Sequence, residues 1–163
     1  MITRALIVFA TAALTGCGLA DAKGPEHLPV SQGCFVAASG QHPVVLEVAS
    51  QSSDRQKGLM GREALAENAG MLFTYGYERT SEQGFWMYKT LLPLDIAFLD
   101  QQGVIVNIRE MHPCASSRSG DCPSYPAGAS YWSAVEMNAG YFADHGIITG
   151  DRLILNQATA CTD

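Results

Sequence analysis

Arg62, Lys89, Asp95 and Glu136 each stand among strongly apolar neighbours, in segments 58–62, 85–95 and 135–140. Burying a charge costs several kcal/mol unless a partner offsets it, so these four are candidates for a polar cluster in a pocket. Within it, Asp95 and Glu136 could work as acid and base on a glycosidic bond, or accept hydrogen bonds from a sugar. Hydrolysis by two carboxyl groups needs them about 5–5.5 or about 6.5–9.5 Å apart. The structural alternative is that each charge points outward from an alternating strand, or that Arg62 pairs with Asp95. Trp86, flanked by Phe85 and Tyr88, could stack on a sugar ring, since indole is amphipathic and common at binding surfaces. Alternation sets Trp86 and Tyr88 on one face and Phe85 and Met87 on the other. A core tryptophan is the competing expectation. Tyr125, Tyr131 and Trp132 could widen such a platform.

Sulfur raises a second chemistry. Met60, Met71, Met87, Met111 and Met137, with His112, are soft ligands of the kind that suits Cu(I). They are scattered singly through apolar blocks, which fits core filling better, so no metal and no cofactor are expected. The sequence contains no G-x-S-x-G elbow, P-loop, G-x-G-x-x-G or H-E-x-x-H. With no catalytic template, a non-catalytic module is expected ahead of an enzyme.

The N-terminus points to export. Arg4 precedes an apolar run from Ala5 to Leu14 of about ten residues, where a spanning helix needs roughly twenty. Leu14-Thr15-Gly16-Cys17 has the pattern of a bacterial lipobox, with Cys17 as the lipid-bearing residue. Ala20-Asp21-Ala22 is a competing site for ordinary cleavage. We therefore expect residues 1–16 to be a lipoprotein-type signal peptide, 17–33 a tether, and 34–163 a single β-rich domain. Acyl chains at Cys17, each worth about 0.8 kcal/mol per buried CH₂, would hold the protein to a membrane. Gly18 rather than Asp after Cys17 leans, as in similar lipoproteins, towards the outer membrane, with the domain facing the periplasm or cell exterior.

Cys34, Cys114, Cys122 and Cys161 remain, and four cysteines allow three pairings. The loop-like residues between Cys114 and Cys122 favour that bridge, which leaves Cys34 with Cys161 in an oxidising compartment. Free thiols are the alternative. Ten basic residues against 16 acidic ones give a net charge of −6, and no basic run is present. Nucleic acid and anionic membrane surfaces are poor partners for such a chain.

The elements that would position these residues are mostly short strands. Residues 44–49 alternate, with Val44, Leu46 and Val48 on one side. Ser53 and Gln56 fit a capping box for a helix reaching about Leu65, weakened by Gly58 and Gly61. Strands are expected at 71–75, 84–88, 94–99, 104–111, 131–138 and 153–156, with the turn Asp100-Gln101-Gln102-Gly103 joining a hairpin. One helical turn fits 140–146. Many short strands with one or two short helices argue for a mainly β fold, a compact antiparallel sandwich or barrel.

Several ordered blocks carry a resemblance: Gly58-Leu59-Met60-Gly61-Arg62, Gly70-Met71-Leu72-Phe73, Phe85-Trp86-Met87-Tyr88-Lys89-Thr90-Leu91-Leu92-Pro93-Leu94-Asp95, Val135-Glu136-Met137-Asn138-Ala139-Gly140 and Gly146-Ile147-Ile148-Thr149-Gly150-Asp151. Together they resemble the family called domain of unknown function 192, over roughly residues 44–155. The resemblance implies a compact, mainly β domain, often exported, and assigns no catalytic residue. That family usually reads Trp-Met-Lys-Asn-Thr where this chain has Trp86-Met87-Tyr88-Lys89-Thr90. The expected function is an envelope-tethered binding or accessory module for a carbohydrate or small solute, presenting Arg62, Trp86, Lys89, Asp95 and Glu136. The alternative is a glycan-acting hydrolase using Asp95 and Glu136.

Overall fold

Period-two alternation of side chains builds most of this chain. In β2 (Gly40–Ala49), Val44 and Leu46 are buried while Val45 between them is exposed. The computed structural model describes residues 27–155 and Cys161. The signal segment, Cys17 and the tether as far as residue 26 lie outside the described residues. The remaining elements are β1 (Val30–Ala37), α1 (Ser52–Lys57), β3 (Ala69–Arg79), β4 (Gly84–Trp86), β5 (Leu94–Leu99), β6 (Ile105–Met111), β7 (Ser124–Pro126), β8 (Tyr131–Asn138), α2 (Tyr141–Asp144) and β9 (Arg152–Leu155).

Seven strands form one curled sheet in the order β6-β5-β8-β3-β2-β1-β9, and β4 pairs with β7 apart from it. The edges meet at one end. Val104 bridges Arg152, Ile105 N–H donates to Asp151 O at 2.8 Å, and Leu153 N–H donates to Gly103 O at 2.9 Å. The result is a half-barrel with two short helices.

Two apolar clusters sandwich the sheet. The concave one joins Phe35, Leu46, Leu72, Val135 and Met137 with Phe142 of α2. On the other face Met71, Phe73, Ile96 and Phe98 pack under Leu59, Phe85 and Met87, so the segment after α1 and the β4–β7 layer form a cover. All six residues of β5 are buried, because both of its faces are roofed.

The mainly β expectation holds, with several departures. β2 and β3 run parallel, so the sheet is mixed rather than wholly antiparallel. The chain between them, α1 included, exceeds a dozen residues, which is what a parallel crossover requires. β1 starts at Val30, inside the stretch read as tether. Its register with β2 and β9 supplies the order that its Pro- and Gly-bearing flanks did not suggest. α1 ends at Lys57 rather than near Leu65, because Gly58 takes φ 48° and Gly61 φ 71°, values that glycine adopts without steric cost. The Ser53 capping box does not form. Ser52 begins the helix, and Gln56 Nε2 donates to Ser52 Oγ at 3.3 Å.

The cysteines pair as Cys114–Cys122 and Cys34–Cys161, with Cα separations of 5.7 and 5.6 Å. Both bridges suit a chain folded away from the reducing cytosol. Among the described residues no helix is long and apolar enough to cross a membrane.

Candidate functional site

Glu136 occupies an interior strand, opposite Met71 of β3 and Ile96 of β5. Its side chain therefore projects into the covered face with those two residues, and it is only 4% exposed. No described residue bonds its carboxyl group, and no charged neighbour perturbs it. Burial alone pushes its pKa from 4.5 to about 8, because a low-polarity surround penalises the anion. Gly70 lets the neighbouring strand come close here, since a Cβ at that position would strike the Glu136 carbonyl oxygen.

A crevice of about 20 Å³ reaches Glu136 between Gly58, Met60, Trp86 and Thr90. That is room for roughly one water-sized group. It shares Arg55, Gln56, Phe85 and Trp86 as walls with a wider cleft of about 310 Å³. Tyr75, Tyr77 and Arg79 of β3 line the far side of that cleft. Trp86 is 43% exposed and leans on Tyr88, the two rings 5.8 Å apart. Phe85 and Met87 are buried on the other side, so alternation across this segment works as expected and Trp86 is a rim residue rather than a core one.

Two guanidinium groups make the cleft locally positive. Arg55 and Arg79 lie 4.9 and 4.5 Å from the centroid of the Tyr75 ring, within cation–π range. Arg55 Nη1 donates to Thr74 O at 2.9 Å and also to Ser50 O, which leaves its Nε and Nη2 without a protein acceptor among the described residues. Arg79 Nη1 donates to Tyr77 Oη at 3.2 Å. Burial pushes the Tyr75 phenol up, so it stays neutral as a stacking surface. Arginine, aromatic and open volume together can hold an anionic group and a ring.

The expected site residues divide. Trp86 and Glu136 converge on the crevice; Arg62, Lys89 and Asp95 do not line it. Arg62 pairs with Glu47 through two bonds of 2.6 Å rather than with Asp95, and that bond raises its pKa. Lys89 is a turn residue with φ 56°, its carbonyl accepting from Gly61 N–H at 2.8 Å.

Asp95 pairs in register with Met137 and so faces the concave core, on the opposite side of the sheet from Glu136. It accepts from Gly140 N–H at 2.9 Å, tying down the start of α2. Burial is the main influence raising its pKa. Carboxyl groups on opposite faces of one sheet cannot flank one glycosidic bond, which removes the hydrolase alternative. Neither acid points outward from an alternating strand, because β5 and β8 lie inside a sheet covered on both faces.

The suggested aromatic extension also fails. Tyr131 is fully buried, Tyr125 Oη accepts from His112 N–H, and Trp132 lines a different cavity near Gly103. Met71, Met87 and Met111 fill one core and Met137 the other, so these thioethers do not form one ligand set. The missed residues are Arg55, Tyr75, Tyr77 and Arg79. Three of them, at 75, 77 and 79, alternate in sequence, but the strand is irregular there, with a register shift between Thr74 and Arg79 and Gly76 at φ 72°, so alternation alone does not place them on one face.

No curated protein matches the chain. Among solved structures it is similar to a protein of Sinorhizobium meliloti 1021 described as "a putative transcription regulator", with 31% identity and a TM-score of 0.73 over 81% of this chain and 98% of that one. It is similar as well to a protein of unknown function from Novosphingobium aromaticivorans DSM 12444, with 31% identity and a TM-score of 0.67 over 78% of this chain and 86% of that one. The model of domain of unknown function 192, described as "Uncharacterized ACR", matches residues 35–155, and the chain belongs to that family.

Proposed function

We propose that this protein is an exported, non-catalytic binding module, tethered through lipid on Cys17 to the outer membrane, whose cleft takes an acidic carbohydrate or similar small solute. One observation carries this reading: Trp86, Tyr77, Arg55 and Arg79 border a single cleft of about 310 Å³. Aromatic faces bind sugar rings through their apolar side, and guanidinium groups bind carboxylates with charge-assisted bonds. A local cationic cleft on a chain of net charge −6 favours a small anion over a polyanion. Calorimetry with acidic cell-wall sugars should give saturable binding that Trp86→Ala weakens by about tenfold or more, with the fold intact. Binding that is absent, or indifferent to Trp86→Ala, would reject this function. The tether is tested separately. Mass spectrometry of the mature N-terminus should find a lipidated Cys17, and an unmodified start at Lys23 would reject it.

A further inference from the structure

Within that binding cleft, we propose that the crevice ending at Glu136 is a subsite for a primary ammonium group, so that the ligand is an amino sugar acid. This rests on the cleft being a binding site and adds the identity of a second group on the ligand. The geometry supplies three complementary positions. Arg55 and Arg79 border the wide part and suit a carboxylate. The half-exposed Trp86 suits the ring. The adjoining crevice, walled in part by the same Trp86 and Arg55, has about 20 Å³, room for a group the size of an –NH₃⁺.

Glu136 and Asp95 are the buried carboxyl groups among the described residues. Asp95 holds Gly140 N–H; Glu136 has no such partner among them. Around it, β3 and β5 present Met71 and Ile96 in register, and Thr90 adds a wall. The other charged residues lining the crevice, Arg55 and Lys57, are cations of α1; neither perturbs the Glu136 carboxyl, so a group held at that carboxyl meets the acid rather than those two charges. A buried, unpartnered acid is costly, and a ligand ammonium would relieve that cost by forming an ion pair. Because burial holds the free acid protonated up to about pH 8, ammonium binding at neutral pH must expel that proton to solvent. A ligand hydroxyl in the same place would expel none.

The probes are muramic acid, which carries ring, carboxylate and free amine, and N-acetylmuramic acid, which lacks the amine. Calorimetry on the wild-type mature protein should show muramic acid binding about tenfold tighter, as a charge-assisted bond provides. Repeating it near pH 7 in buffers of different ionisation heat should show close to one proton released. Glu136→Gln should reduce muramic acid to the affinity of its N-acetyl form, with thermal melting to verify the fold. Equal affinities for the two sugars, both weakened by Trp86→Ala, would overturn the ammonium subsite and leave the cleft standing. Preference for the free amine without proton release, or persisting in Glu136→Gln, would overturn it too. No binding of either sugar would reject the subsite and count against the acidic-sugar reading of the cleft.

Discussion

Glu136 ties local chemistry to measurable stability. Its folded pKa, about 8, lies above its ordinary 4.5. Between these values the native state holds a proton that the unfolded chain has already released. Stability from this group is therefore intact below 4.5, falls as pH rises through the window 4.5–8, and is lowest above it. A tenfold change in proton affinity on folding corresponds to about 1.4 kcal/mol, so the penalty at alkaline pH is on the order of a few kcal/mol. Glu136→Gln keeps the shape and removes the titration. Denaturant melts at about pH 5 and about pH 9 should show a smaller loss for this variant than for the wild type; identical losses would mean that Glu136 is not the titrating group.

Among the elements, the turn at 87–90 and the start of α2 make separable predictions. Lys89 adopts φ 56°, where a Cβ collides with backbone and costs about 1–2 kcal/mol. Asparagine tolerates that region better, which gives a conformational reason for the Asn that the family usually has at this place. Lys89→Asn should raise the denaturant midpoint by an amount equivalent to about 0.5–1 kcal/mol, and a lower midpoint would refute the strain. Asp95→Ala removes the acceptor for Gly140 N–H and should destabilise by about 1–3 kcal/mol. Its binding of acidic sugars should match the wild type, since Asp95 faces the opposite core; weakened binding in a folded Asp95→Ala would contradict that separation of faces.

Across the whole molecule the two disulfides act at different ranges. Cys34–Cys161 spans 127 positions and Cys114–Cys122 spans 8. Loop-closure entropy then assigns about 5 kcal/mol to the first and about 2.5 kcal/mol to the second. Paired serine replacements at each bridge, compared by melting under non-reducing conditions, should show the larger loss for Cys34 and Cys161. Equal losses would indicate that the long bridge closes a loop already compact in the unfolded chain. The seam where Val104 meets Arg152 lies near the β9 strand that leads towards Cys161.

Much of the fold was legible because alternation and turn chemistry are local. The 94–99 and 104–111 hairpin follows from the Asp100–Gly103 turn, where Asp100 Oδ1 accepts from Gln102 and Val104 N–H at 2.8 Å. Glu136 could be singled out by composition alone, as a charge among apolar neighbours, and Trp86 as an amphipathic ring within an aromatic segment. Tertiary structure alone decided which face each occupies and what roofs it. Period-two patterning distinguishes two sides of a strand but does not say whether either meets water. Asp95 and Glu136 therefore became buried on opposite sides once both faces of the sheet were covered. Arg55 and Arg79, 24 positions apart in the chain, share a cleft because the crossover through α1 returns beside β3. That proximity depends on long-range packing, which no local pattern encodes.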